Sequence, residues 1–185
     1  MLSSFCKIEP RSPQERSLLL RASVVAALLF VLDQITKAVV VAYIEFGTQI
    51  TIIPKIFNLT YITNKGAAWG ILHGKAYLLL IISVAFFLFI IIFLRRLSDG
   101  WSERYWAFLL ILSGIVGNTM DRVFRGGEVV DFLQFYFLNI KYQWPSFNVA
   151  DSCITIGVLI FVISTLFRPE HKKNESPKND VTETT

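Results

Sequence analysis

Two cysteines, two histidines and a charged fraction of only 17% in 185 residues leave little material for several kinds of chemistry. Cys6 lies in a polar N-terminal stretch and Cys153 in an apolar run, so no disulfide framework is available and both read as free thiols. His73 and His171 form no cluster, and no residues stand at metal-ligand spacing, so the sequence calls for no metal and no cofactor. With no histidine near a serine or cysteine, a nucleophilic triad would lack its base. The stretch 76–94, "AYLLLIISVAFFLFIIIFL", has no charge at all.

What is abundant is apolar length. The apolar fraction is 54% and the mean hydropathy +0.53, against roughly 45–50% apolar in a soluble domain. A span of the bilayer core takes roughly 20 apolar residues. Four segments qualify, at about 18–43, 76–94, 105–124 and 149–168. The first is too long for a cleavable signal peptide, lacks an A-x-A-like exit and is interrupted by "DQITK". The predicted fold is an all-α polytopic membrane protein of four transmembrane helices (domain 18–168). A polar N-terminal segment (1–17) precedes it, and a tail (169–185) of disordered composition follows.

Charge sets the expected orientation. A pI near 9.1 suits nucleic acid, but the basic residues are distributed by side rather than gathered into a patch. Lys7, Arg11, Arg16, Arg21, then Arg95, Arg96, Arg104, then Arg168, Lys172, Lys173 and Lys178 fall on one side, eleven of the 18. The positive-inside rule then places both termini in the cytoplasm and predicts a membrane-lipid partner, not a nucleic acid. The loops 44–75 and 125–148 lie outside. In the first, "TQITII" and "FNLTYIT" are β-branched and aromatic, which predicts short strands that lie on the membrane surface or line a groove. The second is rich in aromatics (Phe132, Phe135, Tyr136, Phe137, Tyr142, Trp144, Phe147), as at headgroup level.

Polar residues inside these greasy surroundings are the informative ones. Asp33 and Lys37 stand at i,i+4, share a helix face and pair, either as a register pin or as part of a site. "NKGAAWG" (64–70) reads as a turn, or as backbone that must approach a ligand, with Asn64 offering donor and acceptor. "GNTMDR" places Asn118, Asp121 and Arg122 at one end of span 3, read as an interfacial Asp121–Arg122 pair with a capping amide. "FNVAD" makes Asn148 an N-cap and Asp151 its N3 acid. Capping alone would suffice for that motif, were it not for Asp131. Its neighbourhood, "EVVDF", is apolar on both sides and lies at the same membrane boundary. Two carboxylates held close share a proton, and such a pair can activate water and protonate a leaving nitrogen.

The ordered set "DQITK", "NKGAAWG", "GNTMDRVFRGGEVVDF" and "FNVAD", over about residues 18–168, resembles the bacterial lipoprotein signal peptidases (signal peptidase II). The resemblance implies an intramembrane aspartyl endopeptidase of the inner membrane, acting at the periplasmic face, with the strand-forming loop as a small periplasmic β-cradle between helices 1 and 2. Its partner would be a lipidated prolipoprotein, cut just before the cysteine that carries diacylglycerol. On the matching positions it implies Asp131 and Asp151 as catalytic dyad. Asp33, Lys37, Asn64, Gly66, Asn118, Asp121, Arg122, Asn148 and Ala150 become supporting or substrate-contacting residues. Trp69 and Gly70 stand where the family usually has Phe and a small residue, and Trp69 is a candidate groove lining. Two other classes fit membrane carboxylates: a small proton-coupled transporter or channel subunit, and an assembly factor whose polar groups only join helices.

Overall fold

The computed structural model describes residues 12–66, 72, 74–137 and 142–168. Cys6, Trp69, Gly70, both histidines, the tail from 169 and the side chains of Phe137 and Tyr142 lie outside the described residues. Among the described residues, four helices are long and apolar enough to cross a membrane: α1 (Pro13–Tyr43), α2 (Ala76–Ser98), α3 (Ser102–Phe124) and α4 (Val149–Phe167). Strands β1 (Gln49–Ile53) and β2 (Phe57–Asn64) follow α1, and β3 (Val129–Phe137) and β4 (Tyr142–Gln143) follow α3.

Local chemistry sets the helix ends. Ser12 accepts the Glu15 N–H at 3.1 Å and Pro13 occupies the first helical position, so α1 begins well before the apolar run does. Residues 13–17 are therefore helical, and α1 begins earlier than the start at about 18 that the apolar run suggests. Arg95 and Arg96 close the last turn of α2, where cations meet the negative helix end. Glu103 sits in the first turn of α3. The loop expected over 95–104 thus shrinks to residues 99–101, with Asp99 in the left-handed region at φ 49°.

Apolar character and burial run opposite ways in the bundle. α2 is the most apolar helix and one of the least buried, whereas α3 is the least apolar and the most buried. In a bilayer that inversion is sensible, because lipid tails solvate the outward leucines and phenylalanines as well as another helix would. α3 packs closely on α4 through glycine. A Cβ added at Gly114 would collide with the backbone carbonyl of Ala150, and one at Gly157 would lie 2.6 Å from the Ala107 carbonyl. A Cβ at Gly117 would stand 2.7 Å from an Asp33 carboxylate oxygen.

The strands form one small antiparallel sheet in the order β1-β2-β3-β4, with the two-residue β4 paired only at Tyr136↔Gln143 and Phe137↔Tyr142. The cradle is therefore not confined to the connection between α1 and α2. β3, from the second long connection, pairs with both ends of β2, and the register shifts between Leu59↔Leu133 and Ile62↔Asp131. Nor do all its aromatics stand outward. Phe132 packs with Val40 and Val130 in a buried cluster, and Phe135 stacks between Phe57 (4.8 Å) and Phe147 (5.8 Å). β3 is a doubly covered strand, which is why its sequence reads as a nearly continuous apolar run.

Gly114→Ala should cost about 1–3 kcal/mol, because the obstructing atom is backbone and cannot swing aside. Thermal unfolding in detergent micelles checks this; an unchanged midpoint would show that α3 and α4 can separate without loss.

Candidate active site

The polar residues converge where the C-terminal ends of α1 and α3, the N-terminal end of α4 and strand β3 meet. Lys37 among them is fully buried. Its ammonium lies 2.8 Å from Asp33 Oδ2, 2.9 Å from Asp121 Oδ2 and 3.1 Å from Asn118 Oδ1. Three N–H donors thus meet three oxygens, and the group is satisfied without water. The remaining oxygens of both acids carry structure outward. Asp33 Oδ1 accepts the Ala150 N–H at 2.8 Å, so an α1 carboxylate caps α4 from across the bundle. Asp121 Oδ2 also accepts the Val130 N–H at 3.1 Å, and Oδ1 meets Arg125 at 3.3 Å. Gln34 donates to Asp33 (3.0 Å) and to the Gly117 carbonyl (3.3 Å).

The expected Asp121–Arg122 pair does not form. Consecutive residues on a helix do not face each other, and Asp121 turns inward while Arg122 donates to the carbonyls of Gly66 (3.0 Å) and Asn118 (3.3 Å). Asn64 and Gly66 make the turn that the sequence suggests: the Gly66 N–H donates to Asn64 Oδ1 at 2.8 Å. Arg122 then fastens that turn to α3.

Two amides stand above Lys37. Asn118 Nδ2 donates to Asp151 Oδ1 at 2.7 Å, while its oxygen accepts from Lys37 and from Asn148 Nδ2 (3.1 Å). Asn148 closes a full capping box: its Oδ1 accepts the Asp151 N–H at 2.9 Å and its own N–H donates to Asp151 Oδ2 at 3.3 Å. The Asn148 side-chain nitrogen also donates to Asp131 Oδ1 at 2.9 Å and to the Val130 carbonyl at 3.2 Å. One asparagine therefore touches both carboxylates, its backbone on Asp151 and its side chain on Asp131.

Asp131 lies on β3, not in a loop, and is 2% exposed. Burial, and next the Asp151 carboxylate, push its carboxyl up to about 8. Hydrogen bonds from Asn64 and Asn148 and the charge of Lys37 offset part of that rise. Near neutral pH such a group keeps its proton beside a second carboxyl, the arrangement that acid–base chemistry at one bond needs.

Sequence reasoning missed Gln34, although it stands inside "DQITK", and it missed Arg125. It also missed a polar group within the sheet, where Tyr136 donates to Gln134 Oε1 at 3.0 Å and Asn58 to the same oxygen at 3.4 Å. Asn58 and Gln134 are cross-strand partners, a signal visible only once the register is known.

Comparison with known proteins gives a consistent result. Residues 25–167 match the model of a family described as signal peptidase (SPase) II. A lipoprotein signal peptidase of Geobacillus kaustophilus (strain HTA426) is 43% identical over 152 residues, 82% of this chain and 97% of that protein. Two solved structures, each described as a bacterial membrane enzyme determined by the in meso method (at 2.3 and 1.9 Å), are 33% identical. They superpose with TM-scores of 0.75 and 0.71, covering 85% and 80% of this chain and 94% of theirs.

The Asp131 environment predicts a pH dependence. An unfolded aspartate titrates near 3.9, so from about pH 4 to about 8 the unfolded chain is ionised while folded Asp131 keeps its proton. The folded state binds more protons there, and stability should fall as pH rises through that window. Asp131→Asn should flatten the slope in thermal unfolding curves; a slope kept in the variant would place its source elsewhere.

Proposed function

The chain belongs to the signal peptidase II family, a family of aspartic endopeptidases, and from that premise we propose what it cuts and with which residues. It removes signal peptides from diacylglyceryl-modified prolipoproteins, cleaving on the N-terminal side of the lipidated cysteine. Asp131 and Asp151 are the catalytic pair. Both termini are cytoplasmic, the protein crosses the bacterial inner membrane four times, and the pair works at the periplasmic boundary.

The observation that carries this reading is the shared asparagine. Asn148 hydrogen-bonds both acids, and Asn118 adds a second donor to Asp151. Both Asp151 oxygens accept N–H donors, from Asn118 Nδ2 and from the Asn148 backbone, so Asp151 is taken as the ionised member that serves as base and Asp131 as the one that holds the proton. It takes a proton from a water molecule as the water oxygen bonds to the carbonyl carbon of the scissile peptide. Asp131 delivers its proton toward the leaving nitrogen, the C–N bond breaks, and the proton gained by Asp151 restores the pair. The amine product and the carboxylic acid product leave with the elements of one water added. Asp33, Lys37, Asn118, Asp121 and Asn148 hold the two acids, and Ala150 gives the N–H that Asp33 clamps. Asn64, Gly66 and Arg122 form the adjoining edge, where substrate backbone would lie.

The depth of the pair suits a lipidated substrate. Asp151 is in the first turn of a membrane helix, and Asp131 is on a strand, its carboxylate meeting the cap residue of that helix, Asn148. A diacylglyceryl group can therefore stay among lipid tails while the peptide bond reaches the water boundary. Exposed Phe46, Ile50, Ile52 and Ile53 give that boundary an apolar rim.

Purified protein incubated with a diacylglyceryl-modified prolipoprotein tests the assignment. Asp131→Asn and Asp151→Asn should each lower cleavage by about 10²–10⁴-fold while inserting and folding normally, and the unlipidated substrate should be cut poorly. Full activity in either variant would remove that residue from the chemistry.

A further inference from the structure

We infer that Lys37 is a positioning residue for the proposed catalytic pair, because its ammonium decides which way round the Asn118 amide sits and so presents an N–H, not a carbonyl oxygen, to Asp151. The inference rests on the assignment of Asp131 and Asp151 made above.

An asparagine amide is nearly symmetric in shape, and its two orientations differ only in which atom meets which neighbour. Asn118 Oδ1 faces Lys37 Nζ at 3.1 Å and Asn148 Nδ2 at 3.1 Å, and its Nδ2 faces Asp151 Oδ1 at 2.7 Å. Turned over, the NH2 would confront an ammonium and another NH2, and the carbonyl oxygen would confront a carboxyl oxygen. Every contact would change from attraction to repulsion.

Of the two groups that hold the oxygen, Lys37 is the stronger. The Asn148 nitrogen divides two hydrogens among Asn118 Oδ1, the Val130 carbonyl and Asp131 Oδ1. Lys37 gives one full, charge-assisted donor, and cannot rotate it away because its other two are held by Asp33 and Asp121. The opposite end of the relay is set separately, since the Asp151 N–H fixes the Asn148 oxygen. Lys37 thereby acts on Asp151 through one amide, in addition to the direct effect of its charge on Asp131.

A purely structural Lys37 would only neutralise Asp33 and Asp121, and a double-mutant cycle separates the two roles. Lys37→Met is made alone and also with Asp121→Asn, which removes one charge of each sign and protects the fold. Each is combined with Asn118→Ala, and kcat and KM for lipidated substrate are measured per folded protein. The expected result is a loss of about 100-fold in kcat for the charge-balanced variant relative to Asp121→Asn. KM should stay within about threefold. With Asn118→Ala already present, removing Lys37 should lower kcat little further. Losses that multiply in full, or a kcat unchanged by the Lys37 substitution in either background, would overturn the role. Asp131→Asn and Asp151→Asn run alongside: full activity in those would overturn the catalytic assignment and this inference together, whereas inactivity there with multiplying losses would overturn the Lys37 role alone.

Discussion

A single buried cation organises this end of the molecule. An ammonium placed among membrane helices is costly unless its donors are all met, and Lys37 meets them with oxygens from Asp33 on its own helix and from Asn118 and Asp121 on α3. Each acid then reaches further, Asp33 to the Ala150 N–H of α4 and Asp121 to the Val130 N–H of β3. The helices and the strand that carry Asp131 and Asp151 are thus tied to one charge. Neutralising Lys37 and aligning the two acids are the same set of hydrogen bonds, which explains why so many polar side chains occupy so small a region.

The rest of the bundle frees that region from other duties. α1, α2 and α4 present leucine, isoleucine and phenylalanine outward, where lipid can receive them, and α3 carries the interior. Gly114 and Gly157 bring the backbones of α3 and α4 close together, and Gly117 leaves room for the Asp33 carboxylate of α1. At the end far from the acids, Glu103 pairs with Arg168 at 3.1 Å and Arg104 donates to Ser164 at 3.0 Å, so α3 and α4 are pinned at both ends. A first helical turn held in this way has little room to wander, and Asp151 lies in that turn.

Much of this was legible before any coordinates. The four apolar runs, the i,i+4 pair of Asp33 and Lys37, and the cap formed by Asn148 and Asp151 depend on spacing along one helix, and spacing is what a sequence records. Family membership was legible too, because four short motifs in order are rare by chance. The partner of Asp121 was not: choosing Lys37 over Arg122 depends on how α1 crosses α3, and no local pattern encodes that crossing. The place of β3 was also hidden. A strand covered on both faces loses the alternation that marks a half-buried one, so "VVDFLQFYF" resembled a membrane-surface loop when it is a full partner of β2. That error mattered for Asp131, whose rigid place on a strand, rather than on a loop, sets its distance from Asn148.

The central claim is that the proposed pair of Asp131 and Asp151 keeps one proton near neutral pH. Infrared spectroscopy of the protonated carboxyl band, followed through a pH titration of the folded protein, reads it directly. The account predicts a protonated carboxyl at pH 7 that titrates away near pH 8 and is missing from the Asp131→Asn protein. A spectrum with no protonated carboxyl at pH 7, or one unchanged by that substitution, would contradict it.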